Sequence, residues 1–256
     1  MNTDLVWYVA YGSNLSQDRF HCYIIGGTPE GSDKVFEGCR DATLPQAVKR
    51  EILDRELYFA ENSQSWQGMG VSFIRNEPSP TAKTYAVKYL ITREQLEDLA
   101  KQETNTQRTI VLDFERTIEE GFTIFRQAWY GKLVFLGLDD DVPIFTLTSG
   151  TDRQNITRPS DEYIRTIARG LEHQHVLSTA EIALYLEGKD GVAPLQAHEI
   201  YTIIANRNTS LEDAVRQIMN SLIEDLNEAI TEETREEAQK AIDRFAQSYY
   251  GRVNLE

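Results

Sequence analysis

The stretch from Leu5 to Leu15, Leu-Val-Trp-Tyr-Val-Ala-Tyr-Gly-Ser-Asn-Leu, decides the fold of this chain. Its first six residues are β-branched, aromatic or otherwise apolar, which is typical of a buried strand. The chain then breaks at Gly12, and Ser13 or Asn14 can cap the helix that follows. A strand that feeds such a turn presents several backbone N–H groups in one place, where they suit a carboxylate, a phosphate or a developing oxyanion.

The run from Trp7 to Leu15 resembles the opening of the γ-glutamylcyclotransferase-like superfamily. An ordinary strand-to-helix connection fits a generic Gly-Ser-Asn sequence equally well, but the match here is longer than that tripeptide. The resemblance implies an α+β fold, namely a small mixed or antiparallel β-barrel with flanking helices. It implies no metal, no cofactor and no nucleophilic triad, but one catalytic glutamate at the end of a later helix. It also assigns the substrate's glutamyl end to the loop residues Tyr11, Gly12, Ser13, Asn14 and Leu15.

Composition excludes several classes of function. The chain has 256 residues, 41% of them apolar, and a net charge of -15, which disfavours a nucleic-acid partner. Its two cysteines cannot form a disulfide framework and fit a reducing cytosol. We find no basic leader sequence and no long uninterrupted apolar run. We therefore expect a cytoplasmic protein that does not span a membrane.

The order of elements predicts two domains. Strand-like runs follow the first helix, and a helix opened by a capping box at Thr92 interrupts them. Beyond residue 150 the pattern is helical, and the tail carries apolar residues at steps of three and four. We expect a γ-glutamylcyclotransferase-like domain over residues 1–190 and a C-terminal helical extension over 195–256. The predicted strand segments are 55–60, 70–75, 84–91, 109–114, 128–136 and 142–148.

Glu103 is the candidate catalytic residue. In the helix after Thr92 the apolar stripe of Leu96, Leu99 and Ala100 extends to position 103, so a carboxylate is predicted on the buried face in the last turn. A helix that frays after Ala100 would instead point Glu103 to water. The resemblance favours the first interpretation, since the superfamily places its glutamate here. One departure is that Thr104 stands where a glycine usually follows.

The late segment Pro159-Ser160-Asp161-Glu162-Tyr163 resembles the Pro-Ser-x-x-Tyr helix of the same superfamily. The resemblance implies that Tyr163 reaches the substrate pocket, although a packed core tyrosine is an open alternative. Within the superfamily the chain is similar to the larger bacterial members, because the helical tail lies outside the common body. The segment 26–48 is also longer than in the small cyclotransferases, and we expect it to supply the outer wall of the pocket.

These residues predict a cyclotransferase that converts a γ-glutamyl compound into 5-oxoproline and a free amine or amino acid. Glu103 would act as general acid and base, and the only partner required is the small-molecule substrate. The alternative is a binding or interaction protein that keeps the pocket without turnover. A second expectation concerns the amphipathic tail, whose apolar face is expected to dock on the chain's own body. The alternative is that the tail pairs two copies of the chain into a homodimer.

Overall fold

The computed structural model describes residues 4–29, 34–193, 195–205, 210–229 and 231–253, and the side chains of residues 248 and 250–253 are left aside. The chain divides into two compact units. The first comprises Met1–Val176 with Lys189–Ala193, and the second comprises Leu177–Gly188 with Pro194–Glu256. The domain division expected from the sequence, at about residue 190, stays a prediction.

The first unit is an α+β structure that begins with a strand and ends with a helix. Its elements are β1 Leu5–Ala10, α1 Gln17–Ile25, β2 Ala47–Leu53, β3 Leu57–Ser63, β4 Met69–Ile74, β5 Thr84–Thr92, α2 Arg93–Glu103, α3 Phe114–Glu120, β6 Phe122–Ile124, β7 Lys132–Asp139, β8 Val142–Thr148 and α4 Asp161–His175. Short 3-10 turns lie at Ser13–Leu15 and Gln64–Trp66.

Six strands form one mixed sheet in the order β2-β5-β1-β8-β7-β6, while β3 and β4 form a separate antiparallel pair. β1 occupies the interior of the large sheet, antiparallel to β5 and parallel to β8. Its residues Val6 to Ala10 are all buried, as the apolar run predicts. The strand therefore delivers the loop that follows it to a fixed point at one end of the sheet.

The α+β class and the mixed sheet are confirmed, but a closed barrel is not. Within the described residues β2 and β6 remain as two edges of the large sheet, and two isolated bridges join the β3–β4 pair to the later chain. The bridges join Ala60 to Ile156 and Gly70 to Pro159. The architecture is an open mixed sheet with a second, smaller sheet.

The prediction of a strand over residues 109–114 is wrong. The alternation that suggested it is real, since Ile110 and Leu112 are buried while Val111 is 76% exposed. The segment nevertheless forms no strand, and the N–H of Leu112 donates to the Glu97 carboxylate over 3.1 Å instead of to a neighbouring strand. Alternating burial alone does not make a strand, because a strand also needs a backbone partner.

Side-chain caps fix the two helices that carry predicted site residues. The capping box at the start of α2 is confirmed: Thr92 accepts from the N–H of Gln95, and the Gln95 side chain accepts from the N–H of Thr92. The Ser160 hydroxyl caps α4 by accepting from the N–H of Tyr163 over 3.2 Å. These caps set where each helix begins and hence which residues face the sheet.

The second unit is helical. Its elements are α5 Thr179–Leu186, α6 Ala197–Ala205, α7 Leu211–Glu228 and α8 Glu232–Val253. A capping box at Ser178 and Glu181 opens α5 as predicted, and α7 contacts α5, α6 and α8. Among the described residues, no helix combines the length and apolar character that a membrane crossing requires. Pairing of two copies through these helices stays a prediction.

Candidate functional site

The loop after β1 forms a tight turn against the small sheet. The N–H of Leu15 donates to the Gly12 carbonyl over 2.9 Å, which closes the 3-10 turn Ser13–Leu15. A Cβ added at Gly12 would lie 2.1 Å from Oγ of Ser72 and 3.1 Å from the hydroxyl oxygen of Tyr163. Glycine is therefore required here for close approach, and its φ of -120° is one that any residue can adopt.

Glu103 is the last residue of α2, and its carboxylate meets this loop. Nδ2 of Asn14 donates to Oε1 of Glu103 over 3.0 Å, which joins positions 89 residues apart. Asn14 is buried. Glu103 is only half-buried, whereas the helical stripe predicts a buried side chain. Among the described residues Oδ1 of Asn14 has no hydrogen-bond partner. The side-chain amide of Asn14 thus holds one carboxylate oxygen of Glu103 at the loop.

Thr104 does not disturb this arrangement. Its backbone adopts φ -89° and ψ 4°, a conformation that does not need glycine, and its hydroxyl donates to the Ala100 carbonyl over 2.7 Å. The residue that adopts the left-handed conformation is instead Asn105, with a φ of 47°. Asparagine tolerates that region better than most residues. The helix therefore ends one residue later than a glycine at 104 would require.

Tyr163 lies on the opposite wall of the same cavity. Its hydroxyl is 2.8 Å from Oγ of Ser72 and accepts from the N–H of Ser72 over 3.2 Å. Tyr163 is buried, and its ring packs edge-on against Trp66 with the centroids 4.5 Å apart. The core-tyrosine alternative and the pocket interpretation are thus both partly met, since the ring is packed while the hydroxyl lines the cavity.

Two adjoining cavities surround Glu103. The inner cleft, of about 40 Å³, is lined by Tyr8, Ala10, Tyr11, Gly12, Ser13, Asn14, Ser72, Glu103, Tyr130, Leu147 and Tyr163. The outer chamber, of about 400 Å³, shares Ser13, Glu103, Tyr130 and Tyr163 with it. Leu15 lines neither cavity: it is buried and lies against α4, where a Cβ at Gly170 would come within 2.5 Å of it. The other six predicted site residues come together in the inner cleft.

The polar groups around the carboxylate are mostly tyrosine hydroxyls that stay protonated. Burial raises the pKa of Tyr8 and Tyr23 well above the usual value, and the charge of Glu103 raises each of them further. Burial also raises the pKa of Tyr130, with Glu103 as a smaller cause. Glu103 is the only carboxylate among the described residues that line either cavity. The site therefore combines one acid with neutral hydroxyls.

Several lining residues escape the sequence analysis. Ser72 and Tyr130 come from β4 and from the chain before β7, and the Tyr130 hydroxyl donates to the Ser72 carbonyl over 2.8 Å. Arg19, Lys34 and Trp66 line the outer chamber. Lys34 belongs to the segment 26–48 that we expect to supply the outer wall. Only Arg19 carries a sequence signal, as a cation four residues after the loop motif in a very acidic chain.

Comparisons with known proteins find similarity to a curated protein and to solved structures, two of which are described below. No protein-family model matches the chain. Histone deacetylase 5 of Arabidopsis thaliana is 32% identical over 199 residues, which is 71% of this chain and 30% of that protein. The chain thus spans less than a third of the length of the curated relative it matches. Within the described residues, no three His, Cys, Asp or Glu side chains are grouped as metal ligands.

The two solved structures are remote in sequence. The uncharacterized human protein loc79017 is 19% identical with a TM-score of 0.44, over 79% of this chain and 99% of that one. A gamma-glutamyl cyclotransferase is 18% identical with a TM-score of 0.44, over 80% of this chain and 100% of that one.

Proposed function

We propose that this chain is a γ-glutamylcyclotransferase-like enzyme, which converts a γ-glutamyl compound into 5-oxoproline and a free amine or amino acid. The observation that carries the proposal is the hydrogen bond between Asn14 and Glu103. It brings the one carboxylate of the cavity to a strand-to-helix loop suited to holding an anion. Deacetylation is not carried over from the curated relative, because the match covers 30% of that protein.

In the proposed complex the loop holds the α-carboxylate of the glutamyl group. The N–H groups of Ser13 and Asn14 lie at the start of the 3-10 turn, where no intrahelical carbonyl can accept from them. The glutamyl group would occupy the inner cleft and extend into the outer chamber, with its α-amine facing Glu103. Holding amine and γ-carbonyl together makes ring closure intramolecular, which supplies several kcal/mol of the barrier.

The proposed reaction needs one proton carrier. Glu103 takes a proton from the α-ammonium group, and the free amine attacks the γ-carbonyl carbon to form the ring C–N bond. As the resulting tetrahedral oxyanion collapses, the original amide C–N bond breaks and Glu103 returns its proton to the departing nitrogen. The second proton that the ring nitrogen must lose passes to the same departing amine, which leaves as an ammonium group, so that 5-oxoproline is released as a neutral lactam. The hydroxyl of Tyr163 and the loop N–H groups are the proposed donors to the oxyanion. A general acid/base of this kind contributes about 10²–10⁴-fold to the rate.

The test is release of 5-oxoproline, followed by mass spectrometry, from a panel of γ-glutamyl compounds. Wild type should release it, and Glu103→Gln should lower kcat about 10²–10⁴-fold while the thermal unfolding curve stays in place. Glu94→Gln is the matched control, because this glutamate lies in the first turn of the same helix with its side chain 47% exposed. Equal turnover by Glu103→Gln and wild type would remove Glu103 from the mechanism. Binding of a panel member without release by wild type would favour the non-catalytic alternative.

A further inference from the structure

Among the described residues, Arg19 is a buried cation without an anionic partner. It lies in α1 at 5% exposure, and no carboxylate of the described residues forms an ion pair with it. Its Nε has no hydrogen-bond acceptor in the described part of the chain. Two buried cations of the large sheet each have a polar partner. Nζ of Lys88 lies 2.8 Å from Glu51 and 3.1 Å from Asp139. Nζ of Lys132 donates to Oδ1 of Asn76 over 2.6 Å. A buried charge is costly unless something pairs with it.

Two aromatic rings hold the guanidinium of Arg19 in place. Its Cζ lies 4.8 Å from the ring centroid of Trp66 and 5.3 Å from that of Phe36. Trp66 in turn packs against Tyr163 of the inner cleft. Rings that cover a guanidinium restrict its motion and leave its N–H edge as the polar surface. That edge is a fork of donors suited to a planar carboxylate.

The same chamber contains Arg19 and the proposed catalytic residue. Both Arg19 and Glu103 line the outer chamber of about 400 Å³. Burial is the largest influence on the pKa of Tyr163 and raises it, and of the charges nearby Arg19 lowers that pKa and Glu103 raises it. The phenol thus lies within electrostatic range of both groups. A ligand that extends from Glu103 into the outer chamber shares that chamber with the guanidinium.

Lys34 adds a second positive charge to this wall. Its Nζ lies 4.7 Å from the ring centroid of Phe36, the ring that also contacts Arg19. Burial lowers the pKa of Lys34, and the Glu103 charge opposes that effect. The charged residues lining the chamber are therefore two cations and one carboxylate. Since Glu103 would face the ammonium group of the substrate, the Arg19 guanidinium remains to be matched by an anion.

We infer that Arg19 is a specificity-determining residue, which selects γ-glutamyl compounds whose leaving group carries a carboxylate. The inference rests on the proposed cyclotransfer. In this complex the glutamyl part occupies the inner cleft, and the carboxylate of the departing amino acid or peptide pairs with the Arg19 guanidinium in the outer chamber. A leaving amine without a carboxylate would leave the Arg19 guanidinium buried without a counter-ion.

The experiment compares γ-glutamyl-alanine with γ-glutamyl-ethylamide, which differ by that one carboxylate. Wild type should favour the first in kcat/KM by about tenfold or more, mainly through KM. Arg19→Gln should bring this ratio close to one, and Arg19→Lys should give an intermediate ratio because it keeps the charge but loses the fork. Arg116→Gln, an exposed arginine of α3, is the matched control, and thermal unfolding verifies that each variant folds.

The outcomes separate this inference from the proposed function. Turnover of both compounds with no preference in wild type, or with the same preference in Arg19→Gln, would overturn the role of Arg19 and keep cyclotransfer. If wild type releases no 5-oxoproline, cyclotransfer fails, and calorimetric binding of both compounds to Glu103→Gln and to Glu103→Gln/Arg19→Gln decides the remaining question. Tighter binding of the carboxylate compound that disappears with Arg19 would support the anion subsite. Equal binding, or none, would overturn it.

Discussion

Nδ2 of Asn14 donates to Oε1 of Glu103 over 3.0 Å, and this bond joins the loop after β1 to the last turn of α2. The amide holds the carboxylate in one orientation beside the inner cleft. We expect Asn14→Ala to lower kcat by about tenfold to a hundredfold, since a misplaced base loses part of the benefit of positioning. Steady-state release of 5-oxoproline measures the effect. Asn220→Ala, in an exposed part of α7, is the control, and an unaltered kcat in Asn14→Ala would contradict the positioning role.

Gly12 allows the loop to approach β4. Because an added Cβ would lie 2.1 Å from Oγ of Ser72, Gly12→Ala must displace Ser72 and its contact with Tyr163. We expect a loss of about 1–3 kcal/mol in the free energy of unfolding, typical of overpacking. Urea denaturation measures it. Gly150→Ala is the control, because the nearest atom to its added Cβ is the flexible end of Ile124 at 3.3 Å. Equal stability of the two variants would argue against the close packing described.

Gly170 of α4 lies against Leu15, so replacing it tests how closely the loop packs on this helix. In an exposed helix interior, replacing glycine by alanine stabilises a protein by up to about 1 kcal/mol. Here the added Cβ would lie 2.5 Å from both the carbonyl carbon and Cβ of Leu15, so α4 and the loop would have to move apart. We expect Gly170→Ala to destabilise the protein and to weaken substrate binding. Thermal unfolding and KM report the two effects, and an increase in Tm would refute the prediction.

Buried tyrosines make stability fall at high pH. Burial raises the pKa of Tyr8, Tyr11, Tyr23 and Tyr130 well above the usual 10.0. These phenols stay neutral in the folded protein while the unfolded chain ionises, so their contribution is complete below pH 10 and is lost as the pH rises further. Each such group should cost about 1.4 kcal/mol per pH unit in that window.

Chemical denaturation between pH 8 and pH 11 measures this loss. Tyr8→Phe removes one titrating group, so its stability should decline less steeply with pH than that of wild type. Absorbance of the folded protein at alkaline pH gives an independent check, because the buried phenols should not appear as tyrosinate before the protein unfolds. If the free energy of unfolding declined equally with pH in Tyr8→Phe and in wild type, Tyr8 would have the same pKa in the folded and unfolded states.

Local sequence signals located the parts of the candidate site, but not its full wall. The apolar run before Gly12, the capping box at Thr92 and the cap at Ser160 are short-range patterns, and the structure has the expected element at each. The stripe leading to Glu103 places this side chain at the loop, although half-buried. These features depend on neighbours within a few residues, which a single sequence displays.

The rest of the cavity wall could not be predicted, because it depends on which strands pair and on how the two sheets meet. Ser72 reaches Tyr163 because β4 passes beside the loop, and no periodicity in the sequence encodes that approach. The same limit explains the error at 109–114, where alternating burial occurs without a partner strand. The environment of Arg19 is unpredictable for a related reason, since its two aromatic contacts come from Phe36 and Trp66, both distant along the chain.

Because β1 lies in the interior of the large sheet, its position determines when the site can form during folding. Tyr8 pairs with Tyr89 on one side and with Phe145 on the other, so the strand is enclosed only when two distant segments have returned to it. Closing such large loops is the slow part of folding. A nascent chain therefore cannot present the ordered loop until the residues of β8 have been synthesised, and an N-terminal fragment ending before β8 should not bind the substrate.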